Sequence, residues 1–447
     1  MLRMEVAAAL ALTSAEGRAL LAALPPYSES ATAELDRQLR EAGYPASLVS
    51  AALTQSRLRT RARTKLGEFA DGMLFTPDGL EQATRLELAA RHAQRFRAAG
   101  IRHVLDLGCG LGVDAMALAS LDLSVQAWEA DPATALLAQY NLRHFPDVLV
   151  RTGLAQDAPM TSAGIATGAW LDPARRQAGH ADITGRTRRV FALNELSPPW
   201  SFVQEVAQHV PATGAKLSPA FPRNAIPPGA QAQWTSFQGE VLECVLWWGP
   251  LASTVGPTAT VIRADQEVTL TSADSPGLGP VATALPAAGT WIYEPEGAVI
   301  QAGLVGALIA AVDGLELSTG VGYVGSSVAL DLGYARRYRV LEAMPLRPKV
   351  VRAWLRERGI GRLTIKKRGI SVDTDQLRRS LRLDAGGELA TAIVTRAGAT
   401  AAFIAVEGPI DGPARVTIEA GTSGLDTGTD PILDHSVWRP DDPPARP

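Results

Sequence analysis

Apolar positions change their spacing near residue 100 and again near residue 334, and these changes divide the chain. Up to about residue 98 they recur every three or four residues, the period of helices packed by one face. Ser14 can cap a helix over 15–24 that Pro25-Pro26 ends, and Ser30 or Thr32 can open the next, over 33–42, which stops at Gly43. A third helix runs from about Ala46 into Lys65, and the loop Phe75-Thr76-Pro77-Asp78-Gly79-Leu80-Glu81-Gln82-Ala83-Thr84 enters a fourth that reaches about Ala99. From 101 to about 268, short apolar runs alternate with helical segments. Runs at 104–107, 125–129, 148–151, 169–171 and 215–218 read as strands, with a helix over 200–209. Two more strands, 240–248 and 260–264, have little helix between them. Alternation followed by such a pair predicts a doubly wound, mainly parallel sheet with an antiparallel edge.

The stretch 271–289 is rich in Gly, Pro, Ala and Ser and reads as a loop or linker, after which Trp291-Ile292-Tyr293-Glu294-Pro295 leads into a helix over 298–312. From 334 the pattern is strand 337–342, helix 348–358, strand 362–367, helix 374–381, then strands 390–395 and 401–406. This is a small α+β module whose order lies near the ferredoxin-like one. The expected parts are a helical N-terminal domain (1–98), an α/β domain (99–270) and a linker with supporting helix (271–333). A basic α+β domain (334–410) and a Pro- and Asp-rich tail (411–447), expected to be poorly ordered, complete the chain.

Composition and charge sharpen this outline. The 447 residues are 46% hydrophobic, enough for several cores. No unbroken apolar run is long enough to span a bilayer. The first residues, interrupted by Thr13, Ser14, Glu16 and Arg18, read as an amphipathic helix and not a signal peptide. Two cysteines, Cys109 and Cys244, exclude a disulfide framework or a cysteine-rich zinc site, and the six histidines show no metal-ligand spacing. The expectation is a cytoplasmic protein with no metal and no membrane partner. The net charge of −3 conceals a basic stretch: residues 334–383 hold fifteen Lys and Arg against four acids. Such a run is either a solvated face or a phosphate-contacting one; Lys366, Lys367 and Arg368 lie in it. Arg57, Arg59, Arg61, Arg63 and Lys65 form a smaller basic cluster.

The chemistry concentrates in Val104-Leu105-Asp106-Leu107-Gly108-Cys109-Gly110-Leu111-Gly112-Val113-Asp114. An apolar strand, an acid, three alternate glycines and a helix start describe a strand–turn–helix whose backbone can approach a ligand closely. The next strand ends at Glu129, 21 positions after Gly108, about where nucleotide-type folds place a carboxylate on ribose hydroxyls. In open α/β sheets ligands sit outside the carboxyl ends of the strands. Asp106, Gly108, Gly110, Glu129, Asp157 and Asp172 are therefore the candidates. Asp157 has two readings, an acceptor for an adenine amino group or a cap on its own loop. The segment 75–84, with Phe75, Glu81 and Gln82, stands where it could cover the ligand.

Gly112 follows Gly110 by two positions where a dinucleotide fingerprint has three, and an acid precedes the loop. The stretch resembles the S-adenosylmethionine loop of class I methyltransferases. That resemblance implies that Asp106, Gly108, Gly110 and Gly112 serve the amino-acid part of the cofactor, Glu129 with Ala130 its ribose, and Asp157 with Ala158 its adenine. Asp172-Pro173-Ala174-Arg175 stands where such enzymes carry Asp/Asn-Pro-Pro-aromatic, whose acid or amide accepts hydrogen bonds from the amino group being methylated. Here Ala replaces the second proline, and Arg175 replaces the aromatic as the residue to stack on a base or meet a phosphate. Ser197-Pro198-Pro199-Trp200 fits the pattern by letter and reads as a supporting substrate loop, with Ser197 and Trp200 as contacts. The combination of Leu80-Glu81-Gln82-Ala83-Thr84, Asp-Pro-Ala-Arg-Arg, Trp-Ile-Tyr-Glu-Pro and Leu363-Thr364-Ile365-Lys366-Lys367-Arg368-Gly369 resembles bacterial methyltransferases with a THUMP-like C-terminal domain, over about residues 10–408. The resemblance implies a Rossmann-like seven-stranded sheet, S-adenosylmethionine as cofactor and RNA as substrate, since THUMP domains deliver RNA to modification enzymes. Neither cysteine lies next to the strand-four or strand-five end, so methyl transfer to a nitrogen or oxygen, with Asp172 and Pro173 orienting the acceptor, is the expected chemistry. The alternatives are a small-molecule or protein methyltransferase and a non-catalytic RNA-binding protein with a relict cofactor fold.

Overall fold

The structure is a computed structural model that describes residues 4–160, 166–175, 193, 196–264, 266–384 and 386–410. The tail over 411–447 lies outside them. Six helices come first: Val6–Thr13, Ala15–Ala23, Thr32–Glu41, Ala46–Leu66, the short Pro77–Gln82 and Leu86–Ala98. Ser14 caps the second as expected, its hydroxyl accepting from the Gly17 N–H. Neither Ser30 nor Thr32 caps the third, which starts from Ala31 without a side-chain cap.

The α/β part supplies β1 (His103–Leu107), β2 (Ser124–Glu129), β3 (Val148–Thr152), β4 (Thr167–Leu171) and two short strands, β5 (Ala174–Arg175) and β6 (Leu196–Ser197). It continues with β7 (Ala212–Leu217), β8 (Gln231–Phe237), β9 (Glu240–Trp247), β10 (Gly256–Arg263) and β11 (Gln266–Thr271). One sheet runs in the order β11-β10-β8-β9-β7-β4-β1-β2-β3. From β3 to β7 the pairs are parallel, and β9 then runs antiparallel between β7 and β8. The sheet has nine strands where seven were expected. Polar residues alternate through β8, as Gln231, Gln233 and Thr235, and β11 opens with Gln266 and Glu267, so neither makes an apolar run.

The second sheet contains β12 (Trp291–Pro295), β13 (Leu315–Glu316), β14 (Val324–Ser326), β15 (Ala335–Pro345), β16 (Ile360–Lys367), β17 (Glu388–Ala397) and β18 (Thr400–Ile410). Its order is β13-β14-β12-β15-β18-β17-β16. The βαβαββ pattern of the basic module is present, with helices Pro348–Glu357 and Thr374–Leu381. They press Val351, Leu355, Leu377 and Leu381 onto Val394 and Phe403 of the sheet. The stretch read as a linker contributes β12, β13 and β14 to this sheet, with Trp291 opposite Arg339. Among the described residues, no single helix is long and apolar enough to cross a membrane.

The N-terminal helices share one core with the first sheet: Leu12, Leu58, Leu66 and Phe75 pack in the same cluster as Val104, Leu137 and Trp170. Two buried amides lock the connecting chain in place. Gln55 donates to the Phe75 carbonyl (2.7 Å) and accepts from its N–H (2.8 Å). Asn141 does the same for Leu74, accepting at 2.7 Å and donating at 3.1 Å, and also donates to the Leu111 carbonyl in the glycine turn (3.0 Å). Asn141→Leu would leave three buried backbone groups unpaired, so it should cost on the order of 2–4 kcal/mol. Thermal or urea unfolding of the purified variant measures this.

Candidate active site

The turn after β1 needs its glycines. Gly108, Gly110 and Gly112 have φ of +105°, +54° and +83°, the region that side-chain-bearing residues avoid. A Cβ on Gly112 would also stand 2.8 Å from Leu142. The turn borders a pocket whose other walls come from the ends of the neighbouring strands, as the sheet topology requires. Gly108, Cys109 and Gly110 form one side, with Trp128, Glu129 and Ala130 after β2 and Leu154, Ala155 and Gln156 after β3. Asp172 and Ala174 follow β4, and Gly79, Gln82, Ala83 and Thr84 of the covering segment close the pocket. Ser197 and Pro198 join them because β5 pairs with β6, Ala174 opposite Ser197. The two rival acceptor motifs of the sequence are therefore neighbours at one site.

The carboxylates differ in their partners. Glu129 accepts from the Gly110 N–H (3.0 Å) on one oxygen and the Asp131 N–H (2.8 Å) on the other. Each oxygen keeps a lone pair for a ligand hydroxyl. Burial pushes Glu129 upward. Asp106 is 1% exposed, and neither of its oxygens has a hydrogen-bond partner. Burial, then Asp114, Asp172 and Glu129, hold it well above the usual carboxylate range. Those three neighbours line the pocket, and such an acidic wall suits a cationic ligand.

Asp172, half-buried on the pocket wall, begins a chain of alternating charge that runs into the interior. Its Oδ2 takes the Lys216 ammonium from the end of β7. Lys216 also donates to Thr84 Oγ1 at 2.8 Å. The Thr84 hydroxyl donates to Asp114 (2.7 Å), and His92 lies 2.9 Å from Asp114 on Nδ1 and 2.9 Å from Glu243 on Nε2. Burial alone would lower His92, but Glu243 and Asp114 carry it up to about 9, so it is an imidazolium. Lys216 is likewise raised against burial by Asp172 and Asp114. Burial pushes Asp172 up against the pull of Lys216.

Several expected site residues stand elsewhere. Asp157 is exposed and caps its own turn, accepting from the Leu154 N–H at 3.1 Å; neither it nor Ala158 lines the pocket. Gly112, Asp106 and Pro173 are not on the pocket wall, and Asp106 and Pro173 are buried. Phe75 is fully buried in the core. The Glu81 side chain is off the pocket wall, while its carbonyl accepts from Lys65. Trp200 packs on Phe221 with ring centroids 5.8 Å apart. The side chain of Arg175 lies outside the described residues. Lys366 and Arg368 are tied to Glu294, Lys366 at 2.7 Å and Arg368 at 3.6 Å, and they lie over the rings of Tyr338 and Tyr323. Burial raises Glu294, yet Lys366 and the Tyr338 hydroxyl hold it below the usual range. The Trp-Ile-Tyr-Glu-Pro motif therefore anchors the basic strand. Lys367 is exposed and donates to the Val372 carbonyl. In the smaller basic cluster, Arg59 and Lys65 bond backbone carbonyls and Arg63 pairs with Asp71.

Sequence reasoning missed Lys216, His92, Asp114 and Glu243. Lys216 was visible as the lone charge of an apolar strand, near its end, and Glu243 as a charge set inside an apolar run. Among the described residues no group of three or more His, Cys, Asp or Glu is arranged to hold a metal ion.

Family models match two segments: THUMP domain-like over residues 335–407 and a domain of unknown function over 5–62. Two Mycobacterium tuberculosis proteins, from strains H37Rv and CDC 1551, carry the name uncharacterized S-adenosylmethionine-dependent methyltransferase. Each is 29% identical over 371 residues, covering 76% of this chain and 91% of the relative. A crystal structure from Porphyromonas gingivalis W83, assigned by name to the methyltransferases, matches with a TM-score of 0.65 at 19% identity. That match covers 86% of this chain and 99% of the other. It shows the fold.

His92 sets a pH dependence. Its folded pKa of about 9 lies above the roughly 6.5 of a free imidazole. Its contribution to stability is full below about pH 6.5 and is lost as pH rises through about 9. Urea midpoints measured from pH 6 to 10 should fall across that window, and His92→Gln should flatten the fall.

Proposed function

We infer that the chain is an S-adenosylmethionine-dependent methyltransferase with a THUMP-like C-terminal domain, and we propose that it methylates a nitrogen of an RNA base, in tRNA or rRNA. The observation that carries the cofactor assignment is the pocket itself. Its acidic wall of Asp114, Glu129 and Asp172 suits a cationic ligand, and hydroxyls answer the two oxygens of Glu129. Gly108 and Gly110 would hold the amino-acid part, Glu129 the ribose, and Leu154 and Ala155 border the far end. When bound, S-adenosylmethionine supplies an electrophilic methyl group on a sulfonium.

The protein's own part is positioning. Asp172 lines the pocket and gives one oxygen to Lys216, which leaves the other to accept an acceptor N–H. Ser197 and Pro198 flank it. A thiolate route has no support: burial pushes both Cys109 and Cys244 thiols well up, and Cys244 lies inside β9. The RNA reading rests on the basic module and its THUMP-like resemblance. Lys366 and Arg368 are committed to Glu294, so the contacts fall to exposed side chains with no ion pair among the described residues. Arg347, Lys349, Arg356, Arg379 and Arg382 are of this kind. Exposed, unpaired cations suit a phosphate backbone.

Two measurements test the halves separately. By calorimetry, Glu129→Ala should weaken S-adenosylmethionine binding by about tenfold or more, the loss of charge-assisted hydrogen bonds; no binding to the wild type would sink the enzyme reading. RNA affinity of the full chain should fall steeply with salt. Replacing Arg356, Arg379 and Arg382 with Ser should lower the log–log slope by about one for each lost phosphate contact. Affinity indifferent to salt favours a small-molecule or protein acceptor. Asp172→Ala should abolish methyl transfer with cofactor binding retained, and transfer that survives would move the acceptor to Ser197–Trp200.

A further inference from the structure

We propose that Lys216 is a positioning residue for methyl transfer: it keeps the Asp172 carboxylate ionised and aimed, so that the free Asp172 oxygen accepts the N–H of the acceptor. This rests on the reading of the pocket given above.

The sheet builds the pair. β4 and β7 run parallel with Leu171 opposite Ala215. The next residue on each strand is Asp172 and Lys216, so adjacent strand ends deliver an acid and a cation side by side. Lys216 has three N–H groups and three acceptors: Asp172 Oδ2, Thr84 Oγ1 (2.8 Å) and the Gln82 carbonyl (3.4 Å). The ammonium is thereby fixed from three directions, and it fixes the Asp172 rotamer in turn.

The surroundings make the counter-ion necessary. The groups that face Asp172 are Asp106 at the end of β1, Asp114 on the helix Val113–Ala119, Glu243 on β9 and Lys216 itself. Three of these four are carboxylates. The His92 imidazolium on Leu86–Ala98 is held between Asp114 and Glu243. Lys65 faces Lys216 and spends its ammonium on the carbonyls of Leu80, Glu81 and Ala83. Among the described residues, Lys216 is the cation in contact with Asp172. With it gone, a half-buried carboxyl among carboxylates holds a proton more tightly. A protonated carboxyl presents an O–H donor, the wrong partner for an acceptor N–H. Enzymes of the resembled family that carry Asn at this position meet the same need without a charge. In this chain the charge, and hence Lys216, becomes part of the acceptor site.

The test uses full-length protein, labelled S-adenosylmethionine and total RNA from cells lacking the gene. Single-turnover transfer is measured from pH 6 to 9 for wild type, Lys216→Met, Lys216→Arg, Asp172→Asn and the double variant D172N/K216M. Cofactor affinity by calorimetry checks that each variant is folded. A wild type that binds S-adenosylmethionine but methylates no RNA overturns the functional reading, and the wild-type rate alone reveals that failure. With an active wild type, Lys216→Met should be slower by about 10- to 100-fold at pH 7, and should recover towards pH 9 as the Asp172 carboxyl of the variant regains its charge. Lys216→Arg should keep most of the rate. D172N/K216M should match Asp172→Asn, since a neutral amide needs no counter-ion. The proposal is overturned if the Lys216→Met deficit is the same at every pH. It is equally overturned if D172N/K216M is slower than Asp172→Asn by that same undiminished factor.

Discussion

Charges withdrawn from water must neutralise one another, and at the centre of this molecule they do so in a single file. Asp172, Lys216, Asp114, His92 and Glu243 alternate in sign, with the Thr84 hydroxyl between Lys216 and Asp114. The file joins β4, β7 and β9 of the sheet to the helices Leu86–Ala98 and Val113–Ala119. Breaking a buried pair by removing one partner typically costs about 3–5 kcal/mol, because the other charge is stranded. The chain therefore fixes how the strand ends, the glycine turn and the N-terminal helices meet. Asp106 is the exception, buried near Asp114 and Asp172 and without a hydrogen-bond partner.

The N-terminal helices are part of the site. Gln55 and Asn141 grip the chain at Leu74 and Phe75, and Lys65 gathers the carbonyls at the end of the helix Pro77–Gln82. This holds Gly79, Gln82, Ala83 and Thr84 as a wall of the pocket. The second sheet has its own charged anchor in Glu294, which takes Lys366 and Arg368 out of the basic surface. The exposed cations of the two helices and of Arg382 are left to face solvent.

Much of the framework was legible because it depends on local pattern. The glycine turn, the strands flanking it, the helix Trp200–His209 and the βαβαββ order of the basic module all follow from periodicity and turn chemistry. The extra sheet strands were hidden because polar side chains alternate along them. Local pattern does not report which distant residue neutralises a charge. His92 and Glu243 are 151 positions apart, and Lys366 and Glu294 are 72 apart. For that reason Lys366 and Arg368 read as free cations, and Lys216 and His92 read as nothing in particular. Of the two readings of Asp157, the cap on its own loop is the one its hydrogen bond to the Leu154 N–H matches.

Comparing modified nucleosides in RNA from cells with and without the gene tests the central claim most directly. The account predicts that one N-methylated nucleoside disappears on deletion and returns with the wild-type gene but not with Asp172→Ala. An unchanged set of methylated nucleosides, with a purified protein that still binds S-adenosylmethionine, would contradict RNA as the substrate.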